Sequence, residues 1–405
     1  MSLFVLKNKD SELIRFEMRK EAQTVSGKEY SSYDLRILSV CQNLDRILPF
    51  ELQAGEITDK LLLDWIDRRT SPLGRKLFAR IEMLEGFDPK DPMRYARLCN
   101  LLSLNDTFWV TELTDRRAWS EVSLYRNRFD EAVGELVFGL TGSKYSSLRL
   151  SSPEFTSKGA LKKAWGLDDS GIFLRKADNY TAGMDGLSQA TAEWFASQVC
   201  RQFGVKHIPY ELAVYGHADG SHENVCTCRL FTDEHIGLID AKTYFLHQGV
   251  SLKKLTLDSL KNPSTQYELG QIFGAEAFED MMVFDALILN QDRHLGNFGY
   301  LFDTDSGELL RPAPLYDNGF SFGVGLGSLV DLDIEGLASR TTAAFLSFDD
   351  QARLFARPRH IPRLQQCLTL KLKPHPEVYV EQGTIRAMTE LVRCRARQII
   401  DRVEV

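Results

Sequence analysis

The chain has 405 residues, 43% hydrophobic and 26% charged, with a formal net charge of −7 and a pI near 5.7. That length exceeds what one simple core serves, so a bilobal unit or two to three domains is expected. The acidic balance argues against broad binding to nucleic acid or to an anionic membrane.

No apolar run reaches the roughly 18 residues that span a bilayer. The opening "MSLFVLKNKDSELIRF" carries charges where a secretory signal would hold its apolar stretch. The seven Cys, at 41, 99, 200, 226, 228, 367 and 394, are odd in number and irregular in spacing, so they make no disulfide framework. Cys226 and Cys228 lack a second pair and read as strand alternation rather than as zinc ligands. A cytoplasmic setting with no membrane and no direct nucleic-acid partner is the expectation.

Residues 1–145 read as mostly helical, on apolar-periodic stretches such as "DKLLLDWIDRR" and "RYARLCNLLSL". "TGSKYSSLRLSSPEFTSKG" then gathers Ser, Thr and Gly, a loop signal and a domain boundary. "GIFLRKA" has the length and flanks of a strand, and "LSQATAEWFASQVCRQFG" has helical spacing with Gly just past its end. "VKHIPYELAVYG" and "ENVCTCRLF" read as strands around a turn-rich "HADGSH". "GAEAFEDMMVFDALILN" is apolar on most sides and so a buried helix. "GYLF", "DTDSG" and "ELLR" form a hairpin, whose turn lacks the twelve-residue pattern of a calcium loop. The remainder is mainly helical, ending in "TIRAMTELVRCRARQIIDRV". The expected architecture is α+β: a helical region over 1–145, a small β-rich lobe over 146–235 and a larger helical lobe over 236–405.

Between the buried helix and residue 320 lie "DRHLGN" and "DNG". Phosphoryl transfer asks for a carboxylate near the attacking hydroxyl, oxygen ligands for Mg²⁺ and a cation on the phosphates. Asp292 and Asn297, five residues apart on one loop, with Asp317 after the hairpin, have the spacing of such a set. Hard oxygen ligands suit Mg²⁺ better than zinc. In "GIFLRK", Lys176 shares a strand face with Leu174 and Ile172, and Arg175 points the other way. Glu193 lies among Ala190, Ser197 and Cys200, a small-residue face that can hold a carboxylate inward toward a Lys. "SPEFTSKGALKKAW" offers hydroxyls, Lys158 and Gly159, a loop type that brings backbone N–H groups to phosphate.

These motifs in this order, with "SLNDTFWV" at 103–110, resemble the HipA-like serine/threonine kinases and their shorter relatives over about residues 100–325. The resemblance implies a bilobal protein-kinase-like fold and an ATP- and Mg²⁺-dependent transfer to a protein hydroxyl, with autophosphorylation. Position by position, it implies Asp292 as catalytic base, Asn297 and Asp317 as Mg²⁺ ligands, and Lys176 on the ATP phosphates with Glu193 as its partner. Arg293 and His294 fall inside the family loop and shape it. Ser157, Lys158 and Gly159 match the phosphate-side loop, where Thr156 and Ser157 stand nearest the position some members autophosphorylate. By order, the adenine hinge lies near 227–234.

Residues 1–100 do not read as the small β-rich domain that longer members use, with other surfaces, to contact a DNA-binding antitoxin. An antitoxin-type partner is therefore carried as an expectation beside an unnamed protein substrate. Two other readings stay open: a kinase-fold phosphotransferase acting on a lipid or small molecule, and a silent nucleotide- or partner-binding module.

Overall fold

A computed structural model describes residues 2–25, 28–41, 48–53, 55–69, 91–129, 131–138, 152–156, 162–177, 187–216, 220–325, 333–343 and 345–403. The chain mixes helices with antiparallel sheet and divides into two compact units. One comprises Met1–Leu174, Leu230–Leu238 and Leu301–Leu310, and the other Arg175–Arg229, Ile239–Tyr300 and Arg311–Val405.

The first unit corrects the helical expectation for the N-terminal region. Strands β1 (Ser2–Asn8), β2 (Ser11–Val25), β3 (Lys28–Val40) and β4 (Phe108–Glu112) form a four-stranded sheet in the order β3-β2-β1-β4. The first 40 residues are thus β-rich rather than helical, and the stretch that did not read as a β-rich domain contains a sheet. The reason is burial. In the inner strand β1, Phe4, Val5 and Leu6 are all buried, and in β4 so are Phe108, Trp109, Val110 and Thr111. A sheet covered on both faces loses the alternation that marks a strand and keeps only a short apolar run. Phe4 lies opposite Phe16 in the β1–β2 register, and their rings stack at 5.8 Å.

The stretch "DKLLLDWIDRR" is helix α1 (Asp59–Arg69), whereas "RYARLCNLLSL" is helical only as far as Cys99, in α2 (Pro92–Cys99), because Asn100 and Leu101 turn left-handed at φ 52° and 51°; Asp91 caps α2 by accepting from the N–H groups of Met93 and Arg94. Arg69, at the end of α1, donates to both carboxylate oxygens of Asp106 and to the carbonyls of Leu101 and Phe108. A second apolar cluster gathers Leu102, Leu104, Trp109, Trp119, Val122, Leu124 and Phe129. This unit also holds α3 (Glu131–Phe138), β5 (Lys163–Asp168) and the first four residues of β6 (Gly171–Ala177).

The second unit begins with the last residues of β6 and continues into α4 (Gln189–Phe203). Ser188 caps α4 by accepting from Thr191 N–H, and Gly204 ends it in the left-handed region at φ 77°, as the sequence pattern predicts. β7 (Glu211–Gly216) pairs antiparallel with β8 (His222–Arg229). β7 starts later than the apolar pattern suggests because Pro209 has no N–H for a ladder. After β9 (Ile236–Asp240), shared with the first unit, come α5 (Ala241–His247), α6 (Pro263–Phe273) and α7 (Ala275–Ile288).

Strands β10 (Gly299–Asp303) and β11 (Leu309–Pro312) form the expected hairpin, and α8 (Phe348–Phe355), α9 (Ile361–Cys367) and α10 (Gln382–Val403) close the chain. Among the described residues no helix is long and apolar enough to cross a membrane. Gly299 is required where it stands, since a Cβ there would lie 2.0 Å from the Ile239 carbonyl oxygen.

The core of the second unit is aromatic. Phe278, fully buried on α7, meets the rings of Phe273, Phe298, Phe345 and Phe355 edge-on at 5.4–6.3 Å. Phe278→Ala is expected to cost about 3–5 kcal/mol, because four rings that hold one another cannot collapse into the space. A urea titration of the two proteins checks this, and a loss under about 1 kcal/mol would mean the cluster repacks.

Candidate functional site

Strand β6 puts Lys176 inward, as the alternation predicts: it is 4% exposed, whereas the Arg175 guanidinium lies over the Tyr215 ring, 4.8 Å from its centroid. The Lys176 ammonium donates to Glu193 Oε1 at 2.8 Å, to Asp317 Oδ1 at 2.8 Å and to the Tyr210 hydroxyl at 3.1 Å. It also sits 4.8 Å from the centroid of the Tyr210 ring. Burial works against its charge, yet the Asp317 and Glu193 carboxylates together hold its pKa well above the usual lysine value. Burial pushes the Glu193 carboxyl up against the pull of Lys176.

Helix α4 presents Glu193 from its second turn, and the same helix fixes Tyr210, whose backbone N–H donates to Ser197 Oγ at 2.9 Å. Glu193 spends its other oxygen on the backbone N–H of Asn318, at 2.8 Å. One carboxylate therefore ties the strand lysine to the "DNG" segment. Asp317 itself adopts φ 59°, a left-handed conformation that Asp tolerates better than most residues.

The segment with Asp292 and Asn297 leaves α7 through Leu289, also left-handed at φ 55°. Asn297 Nδ2 donates to the Asp292 carbonyl at 2.8 Å and to Asp292 Oδ2 at 3.2 Å, so its Oδ1 is the end turned away from those bonds. Asp292 is about a third exposed, at 37% of its side chain. Burial raises its pKa, the His294 ring lowers it, and the Asp317 charge raises it again. His294 Nδ1 accepts from Gly296 N–H at 2.9 Å, and its Nε2 lies 4.0 Å from Asp292 Oδ1.

Arg293 is fully buried. It donates to the carbonyl oxygens of Asn297 at 2.6 Å and Tyr316 at 2.8 Å, and to Asn318 Oδ1 at 2.6 Å. The two loop segments are thus joined through Arg293, and the second of them is tied to Lys176 through Asp317 and Glu193. Among the sequence-predicted site residues, Lys176, Glu193 and Asp317 stand in direct contact, as do Asp292 and Asn297. Ser157, Lys158 and Gly159 lie outside the described residues. Thr156 is described and buried, its hydroxyl donating to the Leu102 carbonyl at 2.7 Å. Among the residues that touch the set and were missed by sequence reasoning are Tyr210, Asp285 and Asn318. Asn318 had a signal, since "DNG" places an amide beside Asp317. The other two lie in an apolar strand entry and an apolar helix, where no spacing marks them.

No family model and no curated protein matches the chain. Among solved structures, the chain is similar to the Helicobacter pylori proinflammatory kinase CtkA at 17% identity over 60% of this chain and 92% of that one, with a TM-score of 0.41. It is also similar to a chain of the Shewanella oneidensis MR-1 toxin–antitoxin complex of HipA, HipB and operator DNA at 10% identity, over 99% of this chain and 96% of that one, with a TM-score of 0.48. At these values neither likeness assigns the chain a family.

Lys176→Met strips the cation from two carboxylates, one of them Glu193 with 2% of its side chain exposed. Breaking a buried pair from one side costs about 3–5 kcal/mol. Without the ammonium, the folded state binds the Glu193 proton still more tightly than the unfolded chain does. The variant's stability then falls as pH rises from the ordinary Glu value of 4.5 through the raised folded value. Urea titrations near pH 5 and near pH 8 are expected to show a smaller gap from wild type at the lower pH. Equal gaps would mean that Glu193 does not take up a proton when Lys176 is gone.

Proposed function

We propose that the chain is an ATP-dependent protein serine/threonine kinase of HipA-like type. The observation that carries the reading is the buried Lys176 ammonium held between Glu193 and Asp317, 2.8 Å from each, with Asp292 and Asn297 on a loop joined to the same segment. Two carboxylates around one ammonium leave a net negative charge, which suits a metal cation carrying phosphates, and Asp317 and Asn297 supply the hard oxygen atoms that Mg²⁺ prefers.

When bound, Mg²⁺ with ATP supplies the γ-phosphoryl group and neutralises the charge that develops as it leaves. The residues do the rest. Asp292 accepts the proton of the acceptor hydroxyl as its oxygen bonds to the γ-phosphorus and the bond to the β-phosphate oxygen breaks, releasing ADP. Lys176 would exchange its bond to Asp317 for the phosphates, while Glu193 keeps the ammonium from swinging away. Asn297 Oδ1 and the Asp317 carboxylate would hold the metal. The raised pKa of Asp292 suits a base, and it predicts an acid limb of activity above the ordinary range of a solvated Asp.

The acceptor is a protein hydroxyl in this reading, with Thr156 and Ser157 as the candidates for autophosphorylation. Phosphorylation at Thr156 requires its bond to Leu102 to open. An antitoxin-type partner belongs to the same proposal. With labelled ATP and Mg²⁺, the purified protein is expected to label itself. Asp292→Asn is expected to reduce transfer by about 10²–10⁴-fold, and Asp317→Asn by a comparable factor. Labelling of both variants at the wild-type rate would sink the proposal. A melting temperature raised by Mg²⁺ and ATP with no transfer to protein, lipid or small molecule would identify a silent binding module instead.

A further inference from the structure

We infer that the buried Asp285–Arg293 pair is a positioning device for the reaction, setting both loop segments of the site from one point on α7; this rests on the kinase reading. Asp285 and Arg293 are each fully buried and meet in a two-pronged contact, Nε to Oδ2 at 2.9 Å and Nη2 to Oδ1 at 3.1 Å. An ion pair wholly removed from water is weak evidence for stability, since an apolar pair of similar volume often serves as well or better. What distinguishes this pair is where its remaining bonds go.

Among the described residues, every further side-chain bond of Arg293 ends on one of the two segments: the carbonyl of Asn297 on the first, and the carbonyl of Tyr316 and the side chain of Asn318 on the second. Asp285 acts on the first segment as well. Its Oδ1 accepts from Asn290 Nδ2 at 3.0 Å, and Asn290 Oδ1 in turn accepts from the Asp292 backbone N–H at 3.1 Å. The pair thus holds Asp292 through Asn290, Asn297 through its carbonyl, and Asp317 through the residues on either side of it. None of the pair's atoms touches the reacting groups, so Asp285 and Arg293 are positioning residues and not catalytic ones.

The test separates positioning from packing. Asp285→Leu with Arg293→Met removes both charges and keeps an apolar fill, but it strands the Asn297 and Tyr316 carbonyls and the Asn290 and Asn318 side chains, so a lowered melting temperature is expected and rates are compared below it. Its transfer rate is expected to fall on the order of 10²-fold, mainly in kcat. Hydrogen exchange at the amides of Asp292 and Asn318 is expected to quicken while exchange within α7 stays slow. Asn318→Ala, which leaves the ion pair in place and removes one of its anchors, supplies a second readout if the double variant fails to fold. It is expected to lower kcat about tenfold and to quicken exchange at the Asp317–Asn318 segment. Wild-type kcat and wild-type exchange, in the double variant or, if that does not fold, in Asn318→Ala, would overturn the inference and leave the pair as core filling. If the wild-type protein neither binds Mg²⁺–ATP nor transfers phosphate, the kinase reading falls, and the exchange measurements alone decide whether the pair sets the two segments.

Discussion

A charge taken out of water must be answered by another charge, and the second unit is organised around that constraint. Lys176 on a strand cannot be buried unless a helix brings Glu193 and a loop brings Asp317. Each requirement recruits a different part of the chain. The carboxylate of Glu193 has a second oxygen to satisfy, and it takes the N–H of Asn318, so that the loop is held by backbone as well as by side chain. Tyr210 closes the remaining side of the ammonium with a hydroxyl and a ring face. The polar groups are few, but they are mutually dependent, and a network of that kind specifies one arrangement because half-satisfied versions of it are expensive.

Much of this was legible in the sequence where period and chemistry agree. "GIFLRKA" is β6 from its first residue to its last, and alternation alone puts Lys176 on the opposite side from Arg175. The helix 189–203 carries its own stop signal in Gly204, and the small-residue face around Glu193 marks the side turned inward. The N-terminal sheet was illegible for a definite reason. The middle of β1 and most of β4 are buried on both faces, so "FVL" and "FWVT" lack the alternation by which a strand is read, while nearby "DKLLLDWIDRR" is a true helix whose period dominates the region. Asp285 was hidden by its setting. An acidic residue in the apolar half of a helix signals nothing until the fold shows which cation it faces, 8 positions along the chain.

Helix α7 shows how polar contacts complete what apolar burial leaves undetermined. Its residues 281–288 are buried almost without interruption, and hydrophobic burial has no direction of its own, so many rotations of such a helix would bury similar area. Two aspartates remove the ambiguity. Asp280 accepts from Arg359, from His360 Nε2 at 3.0 Å and from Arg363 at 2.8 Å, and burial, which would raise its pKa, is overcome by those bonds. His360 is itself fixed, since its Nδ1 accepts from the Arg357 N–H. Asp285, five positions on, takes Arg293 and Asn290.

The two carboxylates leave the helix in different directions, because five residues advance about 500° around a 3.6-residue turn. Asp280 fixes α7 to the segment that leads into α9, and Asp285 fixes the loop that follows α7. A helix held at two azimuths can neither roll nor slide without breaking charged bonds on one side. That rigidity matters most at its C-terminal end, where Leu289 turns the chain into the segment of Asp292 and Asn297. The position of those two side chains is therefore inherited from an ionic frame that begins nine residues earlier, at Asp280, counted to the turn at Leu289.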